Sequence, residues 1–451
     1  MSVIRTDKWQ LDPSPQQRLW MERTIVEYRA FVRALVGVIY ARWPRISTAD
    51  APLQEVERLV HRTQKNPYPR YEYFGQRFHK FPSYYRRAAI NNAIGQVSSF
   101  VTRYRDWQAG IRSRKTAKPP RLTADTGVYP SLYKGQCVKF HDNWKTAEIK
   151  VFNGCDWVWT CLRVRGHRKR HLVATNQQKS PALIVNSRHC HLSVPFAVKP
   201  KPRQASEAIL AVDLGINTTA TVAVIASDGT VKHRKFIHPS RDIDRRDNRL
   251  QQIRRKAKLT GKLHKGFCRG RYRKARHINQ NIAQQVSRQI VEIARQFGVK
   301  TIVLEHLKGW RPKGGRKRSN LKQRFHGWLH RRLAELIEMK WTELGGKVAY
   351  VNPAYTSKMA FDGSGRVRRD SNNYALARFA SGKRYNADLN GCYNIGARYW
   401  CECLKLGSRN GSEVREDKRS ARTPRIPVTL STLWDFSSQG RGVDTSLTPI
   451  G

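Results

Sequence analysis

The order of hydrophobic segments between residues 208 and 404 constrains this chain more than any other feature. Ala208–Leu214, Thr219–Ala226 and Val231–Ile237 are three apolar-rich runs, with Asp228-Gly229 between the last two. An Asp-Gly pair between such runs favours a tight turn, so the three segments predict an antiparallel meander. A basic stretch from Arg241 to Arg276 follows, with weak helical periodicity. Ile282, Val286, Ile290, Ile293 and Phe297 then recur on one helical face. Thr301–Leu304 predicts a strand, Trp328–Leu344 a helix, Val348–Val351 a strand, and the segment after Asp388 a last helix. A meander followed by alternating helix and strand predicts a mixed sheet with helices packed on it, the order of an RNase H-like domain.

The first half reads differently. Leu19, Ile25, Tyr28, Phe31, Leu35 and Ile39 mark a helix over about 14–40, after a Pro-Ser-Pro-Gln start, and a second helix is expected over about 82–107. From Gly135 to Val198 the pattern changes to short alternating strands between polar turns, which predicts a small β-barrel or sandwich. The expected fold class is α/β multidomain. Residues 1–14 and 126–200 form a β-rich domain, 15–125 a helical lobe, and 205–404 the mixed-sheet domain with a basic helical insertion over 241–297. The Arg-, Ser- and Thr-rich tail over 405–451 has no periodicity and is expected to be disordered.

Charge narrows the partner. Lys and Arg number 86 against 33 Asp and Glu, a balance of 86 − 33 = +53. Such a surplus opposes a compact fold unless a polyanion neutralises it, and nucleic acid releases counterions on doing so. No apolar run approaches the ~20 residues of a membrane span, and the start Met1-Ser-Val-Ile-Arg-Thr lacks the apolar core of an export signal. The expected location is cytoplasmic, associated with the nucleoid through DNA, with no membrane partner. The 8 cysteines include no Cys-x-x-Cys pair, which fits free thiols in a reducing compartment. Between the two N-terminal helices, Asn66-Pro-Tyr-Pro-Arg-Tyr-Glu-Tyr-Phe interleaves rings with cations. Tyr71 and Phe74 are therefore candidates for stacking on bases; packing of the helices explains the same rings equally well.

Three carboxylates stand at structurally special places. Asp213 ends the first strand in Ala-Val-Asp-Leu-Gly, Glu305 ends the fourth in Ile-Val-Leu-Glu, and Asp388 opens the last helix in Asn-Ala-Asp-Leu-Asn-Gly. If the two strands are neighbours, Asp213 and Glu305 converge. Oxygen ligands of this kind suit hard divalent cations, so the set is expected to hold Mg²⁺ or Mn²⁺, as two ions, for phosphodiester hydrolysis. Taken singly, a turn residue, a solvated strand end and a helix cap account for the same three positions.

These motifs carry a resemblance. Val-Asp-Leu-Gly-Ile-Asn (212–217), Ile-Val-Leu-Glu-His-Leu (302–307), Val-Asn-Pro-Ala-Tyr-Thr-Ser (351–357) and Asn-Ala-Asp-Leu-Asn-Gly-Cys-Tyr-Asn-Ile (386–395) resemble the transposon-encoded TnpB family and the compact type V CRISPR effectors related to it. The likeness is strong over about 205–400 and weaker over Leu11-Asp-Pro-Ser-Pro-Gln-Gln (11–17) and the β-rich region. It implies a RuvC nuclease whose catalytic and metal-binding triad is Asp213, Glu305 and Asp388. It also implies a wedge domain in the β-rich part and a recognition lobe in the N-terminal helices. The implied partners are a guide RNA and target double-stranded DNA with a short flanking motif, bound by a monomer or homodimer. Arg254, Arg255, Lys256, Arg271, Arg273 and Lys274 are candidates for lining the guide–target duplex, and Arg316, Lys317, Arg318, Lys322 and Arg324 for steering a strand toward the carboxylates. One departure is plain. The family carries two Cys-x-x-Cys pairs between the second and third acidic motifs, whereas no cysteine lies between Cys268 and Cys392 here. Without thiolates a four-cysteine zinc site cannot form, so residues 306–387 are expected to include a zinc-free remnant of the target-binding element. The expected activity is RNA-guided DNA cleavage. A guided binder that no longer cuts, or an unguided RuvC-like nuclease, are the alternatives.

Overall fold

The computed structural model describes residues 3–120, 127–165, 171–173, 175–187, 189–215, 218–261, 263–307, 329–370, 373, 375–406 and 428–439. Two compact units divide the chain, Met1–Lys199 and Pro200–Gly451.

In the first unit, Ser14 and Gln17 cap helix α1 (Pro15–Ala41) reciprocally: the Ser14 hydroxyl accepts from the Gln17 N–H at 3.2 Å, and Gln17 Oε1 accepts from the Ser14 N–H at 2.9 Å. This satisfies two donors that a helix start leaves open. The same Gln17 amide donates to Thr160 Oγ1 at 2.9 Å, tying the helix start to a strand. Short helices α2 (Trp43–Thr48), α3 (Pro52–Val60) and α4 (Tyr73–Arg77) lead to the long α5 (Ser83–Gln108). Strands β1 (Val3–Asp12), β2 (Val138–His141), β3 (Thr146–Phe152), β4 (Trp157–Arg165), β5 (Gln177–Gln178), β6 (Ala182–Val185) and β7 (Cys190–Val198) form one curled sheet, in the order β2-β3-β4-β1-β7-β5 with β6 also on β7. Segment 130–135 hydrogen-bonds to β6 and then turns into β2. Helices and sheet share one core: Phe31, Leu35 and Tyr85 from the helices and Trp9, Ile149 and Leu192 from the strands belong to the same buried cluster. The expected separation of 15–125 from the β-rich part is thus a change of element type inside one unit.

In the second unit, β8 (Ala208–Asp213), β9 (Ala220–Ala226), β10 (Val231–Ile237), β11 (Thr301–Glu305) and β12 (Lys347–Val351) form a sheet in the order β10-β9-β8-β11-β12. The first three pair antiparallel as the Asp-Gly turn dictates, and β11 pairs parallel to both β8 and β12. Every residue of β9 is buried, as in a strand covered on both faces. Leu210, Val212, Ile302 and Leu304 face helices α7 (Arg269–Gln296) and α8 (His330–Glu343). Ile209, Ala211 and Val303 face helix α9 (Ala387–Cys403). A Cβ at Gly396 would lie 2.5 Å from Ile225 Cδ1 and 3.3 Å from Ala211 Cβ, so at that point the helix contributes no side chain and α9 lies directly on the side chains of the sheet. The basic stretch forms α6 (Ser240–Thr260) and the first part of α7, which runs unbroken from Arg269.

One expectation fails in part. Residues 430–438, inside the tail expected to be disordered, form helix α10 (Leu430–Ser438), with Leu430 and Leu433 buried against α9. Its few apolar residues are too short a run to show periodicity among the Ser and Thr. No helix among the described residues is long and apolar enough to cross a membrane.

Candidate functional site

Strand alternation places the carboxylates. Side chains two residues apart share a face, so Asp213 continues the row of Ile209 and Ala211, and Glu305 continues that of Val303, on the α9 side of the sheet. Parallel register pairs Leu304 with Val212, which sets Glu305 beside Asp213 at the carboxyl ends of two adjacent strands. Helix α9 brings the third. Its N-cap is Asn386, whose Oδ1 accepts from the N–H groups of Asp388 and Leu389 at 2.9 and 3.0 Å. Asp388 is therefore not the cap, and its own Oδ2 accepts from the Thr218 hydroxyl at 2.9 Å. Along the same helix, a Cβ at Gly391 would meet Asp213 Oδ2 at 3.1 Å, so glycine leaves that carboxylate its room.

The electrostatics are those of a cluster short of positive charge. Burial, then the neighbouring charges of Glu305 and Asp388, push the Asp213 carboxyl well above the usual range, and Arg369 opposes them. Burial also raises Glu305, against the Thr356 hydroxyl bonded to its Oε1 at 2.5 Å and against Arg398. Thr356 is fixed in turn: its hydroxyl also lies 3.0 Å from the Pro353 carbonyl, and its own carbonyl accepts from Asn394 Nδ2 at 2.9 Å. Asp213 thus feels both other carboxylates. Yet among the described residues no three His, Cys, Asp or Glu side chains form a preassembled metal cluster. Glu305 accepts from Thr356 and Asp388 from Thr218. The donor set, all carboxylate oxygens, suits Mg²⁺ or Mn²⁺. Thr218, Thr356, Arg369, Arg398 and Asn386 had no role in the sequence reading. Only Thr356 and Asn386 sit inside motifs it had singled out.

The other candidates separate. Arg254, Arg255, Lys256, Arg271, Arg273 and Lys274 are all exposed on α6 and α7, and Arg271 bonds Gln252 across the two helices at 3.2 Å. Arg316, Lys317, Arg318, Lys322 and Arg324 lie outside the described residues. Phe74 is a correction: it is 4% exposed, with its ring 5.3 Å from that of Phe31, so helix packing and not base stacking explains it. Tyr71 is partly buried against the same core. The more accessible rings are Tyr68 and Tyr73, at 80% and 55% exposure.

In the cysteine-free stretch between Glu305 and Asp388, an aromatic cluster forms part of the core. Phe361 packs against Phe379, Tyr385 and Tyr393 at centroid distances of 5.4, 5.0 and 5.2 Å, and Trp434 of α10 closes it at 6.1 Å. It lies beside a small sheet of β13 (Arg368–Arg369), β14 (Leu376–Arg378) and β15 (Arg384–Asn386). The Asp362 carboxylate accepts from the hydroxyls of Ser364 and Ser381 at 2.6 and 2.8 Å, linking two turns.

A mixed sheet covered by helices on both faces, with acidic residues at the carboxyl ends of its central strands, defines an α/β protein with a polar centre at the sheet edge. Comparison with known proteins makes this specific. A family model described as the Cas12f1-like TNB domain matches residues 330–395, and that of the Aq_aa04 family matches residues 5–153. The TnpB-like protein aq_aa05 of Aquifex aeolicus (strain VF5) is 28% identical over 284 residues, spanning 58% of this chain and 92% of that protein. The cryo-EM structure of the Cas12f1–sgRNA–target DNA complex superposes with a TM-score of 0.54 at 13% identity, covering 84% of this chain and 81% of that one. These likenesses relate the chain to TnpB-like and Cas12f1-like proteins.

Proposed function

We propose that this protein is an RNA-guided DNA endonuclease with a single RuvC-type centre of RNase H-like fold, formed by Asp213, Glu305 and Asp388. The observation that carries the reading is the register: β8 and β11 are adjacent and parallel, ending together in two carboxylates, with a third supplied by α9. The three residues would hold Mg²⁺ or Mn²⁺, which when bound supplies an activated water and charge for the leaving oxygen. The protein's own residues do the rest. Thr218 and Thr356 fix the orientation of Asp388 and Glu305. Arg369, within electrostatic reach of Asp213, draws a phosphate to the same place. Residues 200–451 are the nuclease part, with α6 and α7 as the basic insertion. Residues 1–199 supply the wedge and recognition parts, and the exposed cations of α6 and α7 contact nucleic acid by charge and shape. The family relatives and the net charge of +53 support guide RNA and target DNA as partners.

The test compares wild type with Asp213→Ala, Glu305→Ala and Asp388→Ala. Cleavage of a guide-matched DNA in Mg²⁺ is expected to fall on the order of 10³-fold or more in each. Binding of the same DNA in EDTA is expected to persist, because affinity comes from cations and base pairing. A wild type that binds its matched target and never cuts it replaces this reading with that of a guided binder. An Asp388→Ala enzyme that cuts at the wild-type rate removes the third ligand.

A further inference from the structure

Helix α9 turns one polar row toward a single loop. Asn390, Asn394 and Arg398 stand four residues apart along the helix, so they share one face. Asn390 and Asn394 are 0% exposed, and both direct their amides outside the helix. Asn390 Nδ2 donates to the Met359 carbonyl at 2.8 Å, and its Oδ1 accepts from the Phe361 N–H at 2.8 Å. Asn394 Nδ2 donates to the carbonyls of Thr356 and Met359 at 2.9 and 2.8 Å. Arg398, half-buried, donates from Nη1 to the Asn352 carbonyl at 2.5 Å. Side chains from one helix thus hold the backbone of 352–361 at Asn352, Thr356, Met359 and Phe361.

Stability alone does not account for this row. Asn394 Oδ1 is buried without a hydrogen-bond partner. A buried acceptor left unmet is costly, so the amide is kept for what its two hydrogens do. The held loop is itself strained: Tyr355, a bulky residue, has φ of 66°, in the left-handed region. Such a conformation persists only where its surroundings over-determine it. The next residue is Thr356, whose hydroxyl meets Glu305 Oε1 at 2.5 Å. Asp388 stands in the first turn of the same helix. Helix α9 therefore bears one carboxylate of the acidic centre and grips the loop that orients another.

We propose that Asn390, Asn394 and Arg398 are positioning residues of the nuclease centre: by clamping 352–361 onto α9 they fix Glu305, through Thr356, relative to Asp388. The proposal rests on the nuclease reading above and adds residues that touch neither substrate nor metal. Mg²⁺ demands near-ideal octahedral geometry, so the freedom of its ligands matters. Without the clamp the Thr356 hydroxyl loses its fixed place and Glu305 gains rotamers. Closing the carboxylates on Mg²⁺ then costs the entropy of ordering them. Groups that orient a ligand from behind act on metal affinity in this way.

The test measures cleavage of a guide-matched DNA by the full chain across a Mg²⁺ series, with Arg398→Met and Arg398→Lys beside wild type. Methionine keeps a long stem and removes the donor; lysine restores a donor. In Arg398→Met the half-saturating Mg²⁺ concentration is expected to rise about ten-fold, with the rate at saturating Mg²⁺ within roughly three-fold of wild type. Arg398→Lys is expected to recover most of that shift. The sign separates the rival roles. If Arg398 acts only as a charge near Glu305, its removal lowers the half-saturating concentration, because the cation then meets a more negative centre. A purely structural role lowers the rate at every Mg²⁺ concentration and leaves the midpoint in place. Either result overturns the proposal. Asn394→Leu changes no charge and is expected to move the midpoint in the same direction as Arg398→Met. Hydrogen exchange in EDTA gives a readout without metal. Amides of 354–361 are expected to exchange faster in Arg398→Met while β8 and β11 keep wild-type protection, and unchanged exchange in that loop overturns the clamp. A wild type that binds its matched target and never cuts it removes the nuclease reading. A wild type that cuts, with the midpoint unmoved in Arg398→Met and Asn394→Leu, removes the clamp alone.

Discussion

Helix α9 carries two neighbourhoods of opposite character. Its first turn presents Asp388 to a group of carboxylates whose burial and mutual repulsion push the Asp213 carboxyl upward. One turn further, Tyr393 packs into the aromatic cluster around Phe361, in which each ring has ring partners. The first neighbourhood is under-satisfied and needs something from outside; the second closes on itself. The contrast sets apolar packing, which stabilises the fold, a few residues from a buried acidic group, which opposes it.

The largest effect should come from breaking the closed side. Phe361 is 5% exposed, and Phe361→Ala is expected to cost about 3–5 kcal/mol, the usual range for a buried ring. Hydrogen exchange should speed up across β13–β15 while β8 and β11 stay protected. Unchanged protection of β14 would mean that some other contact holds the hairpins.

Relieving the open side should have the opposite sign. Asp213→Asn removes one repelling charge and is expected to stabilise the protein in EDTA at neutral pH by about 1 kcal/mol while abolishing cleavage. The pH dependence fixes the cause. Because the folded pKa of Asp213 lies above its unfolded value of ~3.9, the folded state binds the proton more tightly. Stability from this group is full below the unfolded value and is withdrawn as pH rises toward the raised folded value. The gain from Asp213→Asn should therefore shrink as melts are repeated at progressively lower pH. A gain independent of pH would trace to packing instead.

The smallest effect tests how the helix sets its acid. Asn386→Ala removes the cap of α9 and is expected to cost about 1 kcal/mol, with cleavage lowered less than in Asp388→Ala. Equal losses in both would mean that the cap and the ligand act as one unit.

Much of the mixed sheet could be read from the order of apolar segments, because Asp228-Gly229 and the helical spacing of Ile282 to Ile293 are local signals. The three carboxylates were legible for the same reason: each sits at the end of a local pattern. Their convergence was not, since it depends on which strands pair, and no short stretch of sequence encodes that β11 lies beside β8. Phe74 was ambiguous because rings interleaved with cations look alike whether they stack on bases or on each other; burial decided it. Helix α10 escaped because nine residues with few apolar side chains leave no period to detect, and its place is set by Trp434, whose Nε1 donates to the Gly229 carbonyl at 3.2 Å.

Gly396 shows how finely the centre is set. The Ile225 methyl at 2.5 Å from the missing Cβ can rotate away, but the Ala211 Cβ at 3.3 Å is fixed on its strand. One added methyl would therefore lift α9 by a few tenths of an ångström, and Asp388, two turns along, would travel with it. The bore between helix and sheet is gauged by an absent side chain. The setting of the acidic centre would then have a cheap dial, one that carries no charge of its own.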